Sequence, residues 1–281
     1  MWNAFRRIVS SEKYLAGLFL FTLTVMISID WQLFQNMGNY RDMLRSAHEN
    51  MFLLSVNGEE IVTGFLIGGP LITSIVCGGV FSEDLKQNNM PMQMVRGSLK
   101  KYHLENTAAV FLASFLLLVI PLLLNAVVSM LCYTGGLALD NSNMIPEYAL
   151  VELAKRHSMH SALELLFVTN PSLFAILNAC FTGFVFALFA VMNYCISCMT
   201  SKDAVLCNTL TFGVYVLMNV VPMFFPESWN FSGSVLMTCM DGAGGPGNLN
   251  VVYVTAQTAC IAIVSIFMLM AGIRKWERGE L

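Results

Sequence analysis

Charged residues are missing from six long stretches of the chain: Tyr14 to Ile29, Ile61 to Phe81, Thr107 to Leu139, Leu165 to Ser201, Ala204 to Phe225 and Val251 to Ile273. Each stretch is apolar on every side, the pattern of a helix with no face toward water. Crossing the hydrocarbon core of a bilayer takes about 20 such residues. The runs therefore predict six spans at approximately 14–34, 61–81, 107–133, 173–199, 204–225 and 251–273. The first is extended past Asp30, placed at the interface. Between them lie outer loops at 35–60, 134–172 and 226–250 and, on the opposite side, a connecting loop at 82–106. The expected fold class is an all-α polytopic membrane protein of six transmembrane helices, a single transmembrane domain over 1–281.

Ahead of the first run, Trp2, Phe5 and Ile8 alternate with Arg6, Arg7 and Lys13. This spacing predicts an amphipathic helix lying on the membrane surface. No small-residue cleavage site follows, so the first span is expected to be retained rather than removed as a signal peptide.

With six spans both termini share a side, and the basic residues choose it. Arg6, Arg7, Lys13, Lys86, Arg96, Lys100, Lys101, Lys202, Arg274, Lys275 and Arg278 fall on the terminal side, against Arg41, Arg45, Lys155 and Arg156 opposite. That bias predicts cytoplasmic termini in a multi-pass protein of the bacterial cytoplasmic membrane.

Composition agrees: 56% of the 281 residues are hydrophobic and 12% charged, with a formal net charge of −3. No basic stripe suggests a nucleic-acid partner. The eight cysteines fall mostly in apolar runs, where cysteine acts as a small hydrophobe. The Cys195 and Cys198 pair has CxxC spacing but no second pair, so core packing is the expectation and no disulfide framework is inferred.

Catalytic chemistry has little to build on. No GxxxxGK[ST] loop is present to hold ATP phosphates. The six runs carry no Asp, Glu, His or Lys, the groups that ion-coupled transporters need within the membrane. The four histidines, His48, His103, His157 and His160, are expected in loops. His157, His160 and Glu164 share a helical face and offer a zinc-dependent membrane enzyme as an alternative, but an amphipathic outer helix over 145–167, polar on its wet side, is the preferred reading. No metal or cofactor is assigned to the chain.

Uncharged polar groups do enter the spans. Asn208 and Asn219 lie about three helical turns apart and point the same way, so they are expected to face protein or an aqueous path rather than lipid. Gly64, Gly68, Gly69, Gly78 and Gly79 in the second run favour close helix approach, and Pro70 favours a kink. Phe174, Phe181, Phe184, Phe186 and Phe189 make the fourth run aromatic, suiting either a lipid-like cargo or the lipid itself.

The segment after the second run reads Phe81-Ser82-Glu83-Asp84-Leu85-Lys86-Gln87-Asn88-Asn89, then Met94-Val95-Arg96-Gly97-Ser98-Leu99-Lys100-Lys101-Tyr102-His103-Leu104-Glu105-Asn106. Acidic residues at the end of the second helix, a short link and an R-x-x-x-K-K-Y-x-L-like entry into the third resemble the bacterial ABC-2 type permeases. One departure is Gln87-Asn88-Asn89 where that family often has glycine. The resemblance implies an N-terminal elbow helix and a noncatalytic membrane subunit of an exporter. It also implies a homo- or heterodimer of permease subunits and separate ATPase subunits that bind ATP and Mg. Glu83, Asp84, Lys86, Arg96, Lys100 and Lys101 are then the residues expected to couple to the ATPase. A hydrophobic or amphipathic cargo, whether peptide, lipid-like molecule or drug, fits the apolar spans. A noncatalytic sensor or immunity protein is the other class the composition permits.

Overall fold

The computed structural model describes residues 1–35, 51–54, 59–86, 98–132, 170–200, 204–220 and 251–278. Among these the architecture is entirely helical. In chain order the helices are α1 (Trp2–Val9), α2 (Glu12–Gln35), α3 (Glu59–Thr73), α4 (Val80–Lys86), α5 (Leu99–Cys132), α6 (Pro171–Thr200), α7 (Ala204–Val220) and α8 (Val251–Glu277). A single 3₁₀ turn, Phe52–Leu54, precedes α3, and the π segment Ser74–Gly78 joins α3 to α4.

Five helical stretches are long and apolar enough to cross a membrane: Glu12–Phe34, Ile61–Lys86, Leu99–Cys132, Ser172–Thr200 and Thr258–Glu277. A shorter apolar helix, Ala204–Met218, lies where the fifth run stands. Large apolar side chains line the outside, including Phe19, Leu23 and Phe34 on α2, and Ile263, Ile266 and Phe267 on α8. Water is a poor solvent for so continuous an apolar surface, whereas lipid is a natural one. The protein has the build of an all-α polytopic membrane protein.

At the 82–106 connection two helices run past the ends of the uncharged runs. α5 begins at Leu99, eight residues before Thr107, and α4 carries the second helix through Lys86. The expected 82–106 connection is thus helical at both ends, and only 87–97 lies outside the described residues. The reason is that charge marks where a helix leaves the apolar zone, not where its backbone hydrogen bonds stop.

α6 is the hub, packed against α3, α4, α5, α7, α8 and the π segment. Phe174, Phe186 and Phe189 are fully buried there, while Phe184 reaches the surface. Most of the aromatic character of this helix is therefore core rather than lipid contact or cargo path. Phe186 stacks on Phe65, whose ring also meets Phe21 and Phe52 edge-on, so one aromatic cluster joins α2, α3, α6 and the 3₁₀ turn. Asn125 on α5 fixes that turn by accepting a hydrogen bond from the Phe52 backbone N–H at 2.8 Å.

The glycines of the second run divide in two. A Cβ at Gly69 would overlap the Phe186 ring, and one at Gly78 would come within 2.5 Å of Asn193 Nδ2. Gly64 and Gly68 face open space. Close helix approach is thus the work of Gly69 and Gly78, the two that point at α6.

Candidate functional site

The described lysines and arginines gather at one end of the bundle, and a buried carboxylate organises that end. Ser11 makes the approach: its Oγ donates to the Ile8 carbonyl at 2.7 Å and accepts from the Tyr14 backbone N–H at 3.2 Å. One side chain thereby closes α1 and caps α2, a usual task for serine at a helix start. The sharp turn lays α1 across α5 and sends Arg7 toward α4. Arg7 Nη1 donates to Asp84 Oδ1 at 2.6 Å and Nη2 to Asp84 Oδ2 at 3.0 Å. Tyr102 on α5 donates its hydroxyl to the same Oδ2 at 2.6 Å.

Asp84 is only 2% exposed, and a buried carboxylate is tolerable only with such a donor set. Beside it Lys13 pairs with Glu83 in the open. The first turn of α5 reaches the end of α8 through Lys100 and Glu277, 3.3 Å apart. α8 in turn ties to the end of α6, where Trp276 Nε1 donates to the Cys198 carbonyl at 3.1 Å and Lys275 Nζ to the Met199 carbonyl at 3.4 Å. Six helices, α1, α2, α4, α5, α6 and α8, are thus fastened at one end, with Asp84 the most enclosed of the described charged groups.

Immediately inward sits His103, which belongs to α5 and is fully buried, not in a loop as the charge pattern suggested. The sequence signal for this is faint: Tyr102, His103 and Asn106 share one side of a helix that starts earlier than the apolar run. His103 Nδ1 lies 3.0 Å from the Tyr194 hydroxyl and 3.5 Å from Cys198 Sγ. Phe81 packs against the rings of His103, Tyr194 and Trp276. Cys195 and Cys198 are both buried free thiols within this core.

A second polar group joins α6, α7 and the π segment. Asn193 on α6 donates through Nδ2 to the Ser74 carbonyl at 3.0 Å and to Asn208 Oδ1 at 2.7 Å. Its Oδ1 accepts from Thr211 at 3.2 Å. Asn208 therefore points into protein and joins two helices. Asn219 lies on α7, with its side chain outside the described residues.

Comparison with protein-family models, curated proteins and solved structures finds no match.

The residues expected to form one coupling surface are placed in different settings. Asp84 faces inward to Arg7 and offers little to a partner's surface, whereas Glu83 pairs with Lys13 in the open. Lys86, Lys100 and Lys101 stay exposed at the same end. Arg96 lies outside the described residues, as do His157, His160 and Glu164. Sequence reasoning read Arg7 only as a basic residue of the surface helix and Tyr102 only as part of the entry into the third helix, and gave neither a partner. Each lies far along the chain from its partner, and no local periodicity marks such a contact.

Proposed function

We propose that the chain is the membrane permease subunit of an ATP-driven exporter of the ABC-2 type, with six spans and both termini in the cytoplasm. ATP and Mg are bound by separate ATPase subunits, and two permease subunits, identical or related, enclose the path. The observation that carries this reading is the contact of Arg7 and Tyr102 with Asp84. It makes the surface helix α1, the end of the second span and the start of the third into one mechanical unit. A push on the 87–98 connection then moves three elements together, as transmission from a docked motor requires.

In this reading the proposed coupling residues split by task. Lys86, Arg96, Lys100 and Lys101 provide contact with the ATPase. Asp84 transmits from within, and Glu83 steadies the elbow through Lys13. The basic end of the bundle is the cytoplasmic end, in keeping with the positive-inside bias. The apolar spans suit a hydrophobic or amphipathic cargo.

A photo-crosslinking residue at Lys101 tests the assignment in native membranes. Lys101 is exposed at the start of α5. It is expected to trap a polypeptide bearing a nucleotide-binding loop, whereas the same probe at Phe267 on the lipid-facing side of α8 traps none. Equal yields at both positions would remove the coupling surface.

A further inference from the structure

The second span is broken twice, and one face of α7 takes part in mending both breaks. Pro70 lies inside α3 and lacks an N–H, so the Leu66 carbonyl, four residues back, loses its helical partner. The Tyr215 hydroxyl donates to that carbonyl at 2.5 Å. A turn later the backbone widens into the π segment, where Ser74 presents its carbonyl to Asn193 Nδ2. Asn193 is itself held from α7, through Asn208 and Thr211.

Asn208, Thr211 and Tyr215 recur at the spacing of a single helical face. Backbone defects at membrane depth persist only where neighbours supply the lost hydrogen bonds. Here α7 provides the bond at Leu66 directly, and α6 provides the one at Ser74 through Asn193, which α7 holds in place. α7 is also peripheral: Val205, Leu206, Leu210, Val214 and Leu217 are exposed on its other side. Only its inner side, with Cys207, Thr211 and Tyr215, is seated on the bundle.

We propose that Pro70 to Gly79 is a hinge in the second span and that the Asn208–Thr211–Tyr215 face of α7 is its latch. With the latch engaged, both carbonyls are bonded and α3 and α4 are held at one angle. When α7 moves away, the Leu66 bond is lost and Asn193 loses the two α7 groups that orient it toward Ser74, so both repairs weaken together and α4 swings against α3 carrying Asp84 and, through Arg7, the surface helix. Gly78 permits the close seat on Asn193 when latched. Gly79, at the end of the π segment, meets only an ordinary contact, with the Ile75 carbonyl at 3.6 Å, so it leaves the bend room. A static kink differs in one respect: its two repairs are independent, so losing one leaves the other in place.

Hydrogen exchange on the purified full chain separates the two. Tyr215→Phe removes the bond at Leu66, yet it is expected to speed exchange of the amides from Ile75 to Leu85 about fivefold, the factor one ordinary hydrogen bond is worth. Exchange in the middle of α5 should not change. Pro70→Ala restores an N–H to the Leu66 carbonyl, so adding Tyr215→Phe to that variant is expected to change nothing. An effect of Tyr215→Phe confined to residues before Thr73, or an equal effect in the Pro70→Ala background, would overturn the hinge. If Tyr215→Phe does not fold, Thr211→Val tests the same latch. A smaller rise over Ile75 to Leu85 supports the hinge, and no rise overturns it. The inference does not rest on the export reading, because exchange is measured without ATP or a partner.

Discussion

Arg7 and Asp84 are 77 positions apart in the sequence and meet through two parallel hydrogen bonds of 2.6 and 3.0 Å. The guanidinium and carboxylate forks match in shape, which gives the contact direction as well as energy. Because Asp84 is enclosed and also accepts from Tyr102, losing the arginine leaves a buried carboxylate with one donor. Arg7→Gln is expected to destabilise the fold by about 2 kcal/mol, less than for a fully buried pair because the guanidinium is partly solvated. In a double-mutant cycle by SDS titration, Arg7→Gln and Asp84→Asn should couple by at least about 1 kcal/mol. Simple additivity would mean that the pair does not hold α1.

The pair between Lys100 and Glu277 makes a useful contrast. Both side chains are largely solvated, and such surface pairs contribute roughly 0–1 kcal/mol. Lys100→Gln is expected to leave the SDS midpoint within experimental error, and a shift as large as that of Arg7→Gln would contradict the ranking. The contact also means that the α5 entrance and the α8 end are not independent. A variant of Lys275 disturbs the α6 terminus and cannot serve as a neutral control for loop variants.

Asn193 gathers three interhelical hydrogen bonds. At about 0.6 kcal/mol for an average bond of this kind in a membrane protein, Asn193→Leu should cost about 2 kcal/mol. Asn208→Leu removes one of the three and should cost correspondingly less in the same titration. An Asn208 effect equal to that of Asn193 would place the dependence in α7 alone.

Two glycines of the second span should respond in opposite senses. Gly69→Ala forces a methyl against the buried Phe186 ring and is expected to cost about 1–3 kcal/mol. Gly64→Ala meets open space and should stabilise the helix by up to about 1 kcal/mol. Titrating both variants side by side checks the packing of α3 on α6, and a neutral Gly69→Ala would mean that this contact is loose.

Much of the fold is legible in the uncharged runs, because in lipid a long apolar segment must satisfy its own backbone as a helix. Helix ends are less legible. α5 starts at Leu99 among charged residues that remain helical beyond the apolar zone, and this took His103 into the core. The glycine run at 64–79 showed that helices approach, but not that only Gly69 and Gly78 do so. Of the candidate site, the basic end and Asn208 could be read from composition and spacing. The Arg7 to Asp84 contact could not, since it depends on the turn at Ser11. Tyr215 had a readable cue: a proline inside a span leaves a carbonyl in need of a donor, and a tyrosine in a neighbouring apolar helix can supply one.

The central claim is that this chain works with a separate ATPase. The direct measurement is Mg-dependent ATP hydrolysis by material purified through a tag on this chain from its native membranes and reconstituted in liposomes. The account predicts hydrolysis that co-elutes with the chain and with a second polypeptide bearing a nucleotide-binding loop, in near-equal amounts. A homogeneous, folded chain that elutes without such a polypeptide and without ATP hydrolysis would contradict it.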